Sequence, residues 1–125
     1  MKAVAFKQPW ASAIIKGMMS SIAPGYDLHV LPGGRTVAVY ASLTLDTSPY
    51  LDAGELFRLR TLMPLCNLPL GKLLGTVTVM KIFKEDGKTI WMLADPKELP
   101  EPLPCRGQKG SWDLHFSLAG KMGVK

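Results

Sequence analysis

The chain has 125 residues, of which 47% are hydrophobic and 20% are charged, so it has room for one compact domain with a core. We therefore predict a single domain over residues 1–125. No apolar run approaches the roughly 20 residues that span a bilayer, and the apolar start is interrupted at Lys7, which is not typical of a leader sequence. We expect a cytoplasmic protein without membrane contact. The net charge of +5 permits a polyanionic partner but does not identify one, because the basic residues are scattered.

The first third of the chain predicts a strand, a helix and a hairpin. Residues 2–7 are predicted as a strand and residues 9–16 as a helix, because Pro9 has no N–H to leave unpaired in a first turn and Gly17 is suited to end it. A connection over 17–25 follows. The hairpin is expected from two short runs of strand-forming residues on either side of a Pro-Gly-Gly turn, at 26–31 and 36–42.

The rest of the chain predicts a second helix and further strands. Apolar residues at helical spacing favour a helix over 49–63. A strong strand over 73–83 contains Gly75, which indicates a bulge or a close approach of another backbone. The remaining predictions are a turn at 85–88, a strand at 89–93, an irregular proline-rich segment at 95–104 and a strand at 111–117. Five or six short strands with two helices, and no β-α-β periodicity, favour an α+β fold with a curled mixed sheet or small barrel.

The cysteines and histidines do not form a recognisable metal motif. The chain has two cysteines, Cys66 and Cys105, and two histidines, His29 and His115, all far apart. A structural zinc site needs about four ligands at close spacing. We therefore predict no metal, no cofactor and reduced thiols, and we assign neither histidine a catalytic role.

Five segments in their order along the chain resemble the ASCH family, whose fold is a PUA-like β-barrel. The resemblance implies a small mixed barrel of five to six strands with two helices, and a cleft beside the first helix that takes RNA or nucleotide-like ligands. Some members are hydrolases or nucleases. The segments that carry the resemblance are Gln8–Ser12, Ile14–Gly17, Val37–Ser42, Leu70–Val77 and Pro104–Leu114.

The chain departs from that family at its G-x-K-x-x-E-x-R motif. Counted from Gly17, Met19 replaces the lysine, Ile22 replaces the glutamate and Pro24 replaces the arginine. The lysine is a catalytic group in family members with amidohydrolase activity, whereas a methionine has no proton to transfer and cannot act as a nucleophile or a base. We therefore do not expect an amidohydrolase of that type, and the catalytic residues remain unassigned.

The residues that survive near the implied cleft favour a nucleic-acid-binding module, with RNA or a modified nucleotide as ligand. Aromatic rings can stack on bases, amides and hydroxyls can hydrogen-bond to them, and cations can bind phosphate. Plain structural roles compete with these: a tryptophan as a core anchor, a glutamine as a backbone cap, and a lysine as a solvated strand end. The candidates are Trp10 and Tyr40 for stacking, Gln8 and Ser42 for hydrogen bonds, and Arg35, Lys72 and Lys109 for phosphate.

Two other functions remain open at this point. The first is a small hydrolase, either a ribonuclease or a diverged N4-acetylcytidine-type amidohydrolase. It would have to recruit Asp27, the acidic group near the lost motif, or use Tyr26, Lys72 and Ser111 in a metal-free arrangement. The second is a catalytically inactive domain that binds a protein partner. Met18 and Met19 would then form an apolar rim where the polar motif has been lost.

Overall fold

A computed structural model describes residues 1–8, 10–23, 34–45, 69–107, 110–114 and 120. Within these ranges the chain forms six strands and one short helix, in the order β1, α1, β2, β3, β4, β5, β6. Their bounds are β1 Lys2–Gln8, α1 Trp10–Ile15, β2 Ser21–Ile22, β3 Arg35–Leu45, β4 Lys72–Glu85, β5 Lys88–Pro104 and β6 Ser111–Asp113.

The six strands form one mixed sheet in the order β2-β5-β4-β3-β1-β6. β1 and β3 are parallel, and every other neighbouring pair is antiparallel. A small mixed α+β fold is therefore confirmed. In the part of the chain that the structure describes, the sheet is open, with β2 and β6 at its edges, and it is accompanied by α1 alone. The predicted strand at 26–31 and the predicted helix at 49–63 lie outside the described residues.

Each face of the sheet carries its own hydrophobic cluster. On the helix face, α1 packs Ile14 and Ile15 against alternating residues of the central strands such as Val37 and Val39. On the opposite face, here called the Trp112 face, a second cluster includes Ala38, Tyr40, Leu73 and Trp112. Successive side chains of a strand point to opposite faces, so β3 supplies both clusters in turn and is buried on each side. This alternation determines which face each candidate site residue occupies.

Gly17 terminates helix α1, as predicted, two residues after the last helical residue, Ile15. Gly17 has a φ of +74°, its N–H donates to the Ile14 carbonyl at 3.1 Å, and the Met18 N–H donates to the Ala13 carbonyl at 2.9 Å. This pair of hydrogen bonds is the Schellman arrangement, in which a left-handed residue satisfies the last carbonyls of a helix. Met18 then packs against Ala13, the hydrophobic contact that accompanies such an ending.

β4 and β5 are joined by the predicted turn. Asp86 and Gly87 have φ values of +52° and +76°, and Glu85 pairs with Lys88 across the turn. Two consecutive residues with positive φ are typical of a type I′ turn, whose twist matches that of the strands it joins. The Asp-Gly pair predicts this turn because both residues tolerate positive φ.

The expectation of irregular chain over 95–104 is wrong, because β5 continues to Pro104 and pairs with β4. The register explains how prolines are accommodated in this strand. Pro96, Pro100 and Pro102 all fall at register shifts, between Ala94 and Lys97 or between Glu98 and Leu103. A proline at a bulge removes no ladder hydrogen bond, so the strand resumes after each interruption.

At Gly75 another backbone approaches β4 closely and the strand pairing is irregular, as predicted. A Cβ at this position would overlap the Lys97 carbonyl oxygen and would lie 2.9 Å from Cδ1 of Ile15. The pairing of β4 shifts register here against both of its neighbours. The absence of a side chain therefore lets the β5 backbone and α1 approach β4 together.

Candidate functional site

Five of the seven predicted site residues lie at or next to one end of the sheet. This end, called here the Tyr40 end, comprises residues 7–8, 40–43, 71–72 and 104–107, where β1, β3 and β5 finish and β4 begins. The register brings these segments together, since Gln8 pairs with Leu45, Ala41 with Lys72, and Lys72 with Pro104. Residues Gln8, Tyr40, Ser42 and Lys72 belong to this end, and Trp10 begins α1 just after β1.

The other two predicted residues are not placed there. Arg35 begins β3 and pairs with Val79, at the far end of the sheet. Along β3, Ala41 is six residue steps from Arg35, a distance of about 20 Å. Lys109 lies outside the described residues.

Gln8 is fully buried, and its amide is bound on both sides. Its Nε2 donates to Ser12 Oγ and to the Pro69 carbonyl, each at 2.8 Å, and its Oε1 accepts the Ser12 N–H at 3.0 Å. Ser12 is the third residue of α1, where the backbone N–H has no partner inside the helix. The Gln8 side chain therefore caps α1 and ties the end of β1 to the segment that leads into β4.

Trp10 and Tyr40 lie on different sides of the sheet. Trp10 is half-buried on α1 and packs around Ala13 together with Met18 and Met19. Tyr40 belongs to the cluster on the Trp112 face, whereas α1 packs on the helix face. The structure therefore does not bring the two rings together. Trp10 instead shares a small, partly exposed apolar surface with the two methionines.

Tyr40 is enclosed by an aromatic ring and by the backbone of the segment that follows β5. Its ring meets Trp112 edge to face, with centroids 5.3 Å apart and an interplanar angle of 80°. The Gly107 backbone lies directly against the Tyr40 ring, so a Cβ at Gly107 would overlap it. The Gly107 N–H donates to the Tyr40 hydroxyl. These contacts tie the chain after β5 to the middle strand of the sheet.

The two weakly acidic groups of this end stay protonated at neutral pH. Burial raises the pKa of Tyr40 above its usual 10.0, the nearby Cys105 raises it further, and the Gly107 hydrogen bond opposes them in part. Burial also raises the pKa of the Cys105 thiol, which is not in a disulfide. Neither group is prepared to act as a base or as a nucleophile, because both tasks require the deprotonated form.

The Tyr40 end carries positive charge that has no partner of opposite sign in the part of the chain described. Lys7 and Arg106 are exposed and Lys72 is half-buried, and none of them forms an ion pair there. The nearest carboxylate along β5 is the exposed Glu101. Elsewhere three lysines are paired, Lys2 with Asp113, Lys16 with Glu98 and Lys97 with Asp95, whereas the lysines near the turn between β4 and β5 form no ion pair with a described residue. The Tyr40 end differs from the region of that turn because its described residues include no carboxylate. This end is therefore suited to an anionic ligand.

Three further residues of this end, Lys7, Arg106 and Gly107, were not predicted as site residues from the sequence. Arg106 and Gly107 lie in a segment that carries the family resemblance, which was the one signal that pointed to them. Their role could not be predicted, because spacing along the chain does not show that Gly107 packs on Tyr40, 67 residues earlier in the numbering.

Two further findings concern metals and membranes. Among the described residues no group of three or more His, Cys, Asp or Glu side chains is arranged to hold a metal ion. The same residues include no helix with the length and apolarity needed to cross a bilayer.

Comparison with known proteins adds no relative. No protein-family model matches the sequence, and no curated protein is significantly similar to it. The resemblance to the ASCH family therefore stays a prediction that depends on the five segments.

Proposed function

We propose that this chain is a nucleic-acid-binding module whose ligand is single-stranded RNA or a modified nucleotide, bound at the Tyr40 end. The observation that carries the proposal is that Lys7, Lys72 and Arg106 meet at this end, with no carboxylate among its described residues. Phosphate groups supply most of the affinity of such ligands, and they are attracted to positive charge that is not already neutralised. Ser42 is half-buried at this end, and Trp10, also half-buried, begins α1 just after β1 on the helix face.

Some of the candidate residues would contact the ligand, and others would hold the structure of the site. Lys72 would bind phosphate and Ser42 would hydrogen-bond to the nucleotide, with Lys109 as a further cation. Trp10, on the helix face, would stack on a neighbouring base of the strand. Gln8 and Tyr40 are buried and already bonded within the protein, so they act as supports. Arg35 is about 20 Å from Ala41 along β3, so one nucleotide would not reach both ends.

We also propose that the complete chain forms the PUA-like barrel of the ASCH family. The order of the five segments along the chain supports this. PUA-like domains commonly read RNA or modified bases, which agrees with the ligand class suggested by the charge. Fold-level resemblance by itself does not establish a ligand, so the test must address binding.

The test is a salt titration of binding to a short fluorescent single-stranded RNA, followed by anisotropy. Phosphate-driven binding should weaken linearly on a logarithmic plot, by about 0.7 per phosphate contact for a single strand. Lys72→Gln should weaken binding and flatten this slope by about one contact. Lys84→Gln removes the same charge from the other end of β4 and serves as the matched control.

Two results would contradict the proposal. One is the absence of binding by the unaltered protein at low salt. The other is equal weakening by Lys72→Gln and Lys84→Gln, which would indicate a general charge effect without a site at the Tyr40 end. Running the recovered RNA on a denaturing gel also tests the hydrolase alternative, because a binding module leaves the RNA at full length.

A further inference from the structure

We infer that Arg106 binds a phosphate of the RNA and that Tyr40 is the residue that positions it, by holding Gly107. This inference rests on the proposed function and goes beyond it, because neither role follows from the candidates of the sequence analysis. Arg106 is exposed, follows β5 by two residues, and lies beyond Pro104, which pairs with Lys72. It therefore extends the positive charge of Lys72 past the end of the sheet.

An arginine on an unsupported segment would lose much conformational entropy when it binds a ligand. The segment 105–107 has support on both sides of Arg106. Cys105 packs against the cluster on the Trp112 face, and the Gly107 backbone lies on the Tyr40 ring and donates to its hydroxyl. Arg106 is thus presented to solvent between two residues that are fixed to the sheet.

The identity of Gly107 supports the same conclusion. A Cβ at this position would overlap the Tyr40 ring, so a larger residue would push the segment away from the sheet. Gly71 approaches the same hydroxyl from the β4 side, with a position for its Cβ 3.7 Å from Tyr40 Oη. Two backbone segments therefore converge on one phenol, one leading to Lys72 and the other carrying Arg106.

The experiment is a double-mutant cycle with Arg106→Gln, Tyr40→Phe and both together, using the same RNA and salt titration. Arg106→Gln should weaken binding roughly fivefold and flatten the salt slope by about 0.7. Tyr40→Phe keeps the ring on Trp112 and removes only the hydroxyl. It should weaken binding by a smaller factor in the unaltered background and add nothing when Arg106 is already replaced. Lys84→Gln is the charge-matched control for Arg106→Gln.

A second measurement, made without RNA, tests whether the Tyr40 hydroxyl holds the Gly107 backbone. The Gly107 amide should exchange slowly with solvent in the unaltered protein and faster in Tyr40→Phe, because its acceptor is gone. Gly107→Ala should reproduce the binding loss of Tyr40→Phe by displacing the same segment.

The outcomes separate the two proposals. If the unaltered protein binds no RNA, the proposed function fails and this inference fails with it. If it binds but Arg106→Gln binds equally well, the inference alone is wrong. Equal weakening by Tyr40→Phe in both backgrounds would show a general structural effect, and unchanged Gly107 exchange would show that the hydroxyl does not hold the segment. Either result would overturn the positioning role.

Discussion

The two ends of the sheet each contain lysines and one arginine, but they are built in different ways. The end opposite the Tyr40 end, called here the turn end, comprises residues 34–35 and 80–92. Its hairpin consists of consecutive residues and carries charges of both signs, with Glu85 opposite Lys88 and the Asp86-Gly87 turn between them. The Tyr40 end is assembled from four separate segments, and its described residues include cations but no carboxylate.

This difference distinguishes charges that contribute to stability within the hairpin from charges that are available to a ligand. At the turn end, Lys81 lies over the Phe83 ring at 5.4 Å, so one of its cations already has a partner within the hairpin. Charges that are satisfied locally contribute modestly to stability and attract a ligand less. At the Tyr40 end, the protein uses a buried tyrosine and two glycines to hold backbone segments, and the cations stay accessible. The net charge of the whole chain therefore does not indicate which end is suited to a ligand.

The largest expected effect is at the turn end, on replacing Trp91 with alanine. Trp91 is fully buried and meets Phe6 edge to face, with centroids 6.3 Å apart. We expect Trp91→Ala to lower the free energy of unfolding by about 3–5 kcal/mol, measured by urea denaturation, because a large cavity forms in the core. Leu43→Ala at the Tyr40 end is the comparison, since Leu43 is 75% exposed and should change the same free energy by less than about 0.5 kcal/mol. Similar midpoints for the two variants would contradict the packing described for the helix face.

A matched pair of glycine substitutions compares the two ends directly. Gly107→Ala should cost about 1–3 kcal/mol of unfolding free energy, because the new Cβ overlaps the Tyr40 ring. At Gly87 a Cβ would meet nothing within 4 Å, so Gly87→Ala should cost about 1 kcal/mol, from its φ of +76° alone. Thermal denaturation of both variants measures the difference. A smaller loss for Gly107→Ala than for Gly87→Ala would show that the Gly107 segment is not packed as described.

The smallest expected effect is a dependence of stability on alkaline pH that originates at the Tyr40 end. The pKa of Tyr40 is raised on folding by burial, so the unfolded chain loses this proton first as pH rises. The stability that Tyr40 contributes is complete below its usual pKa of 10.0 and is lost as pH rises toward the folded value. Tyr40→Phe should therefore lose less stability than the unaltered protein between neutral pH and pH above 10.0.

The measurement is the urea midpoint of both proteins across that range. Lysine titrations are common to both, so they cancel in the comparison. Equal losses for the two proteins would contradict the burial of the Tyr40 hydroxyl. Cys105→Ala should reduce the alkaline loss in the same direction, because burial raises the pKa of that thiol as well.

The features that could be predicted from the sequence are those that neighbouring residues determine. Pro9 and Gly17 indicated the limits of α1, and the helix and its ending agree with the prediction over the described residues. The Asp86-Gly87 turn was predictable because positive φ is a property of those two residues. The same local reasoning failed at 95–104, where prolines suggested irregular chain. Pairing with β4 overrides that preference, because each internal proline falls at a bulge.

The candidate site was only partly visible in the sequence, for the same physical reason. The residue types alone predicted Tyr40 and Lys72 as candidates. The sheet register, however, places Arg35 at the far end, and the packing of α1 leaves Trp10 and Tyr40 on different faces. Burial converts Gln8 from a candidate ligand contact into the cap of α1. Turn and cap chemistry is encoded over a few residues, whereas the contact between Tyr40 and Gly107 exists only after β3, β4 and β5 have paired.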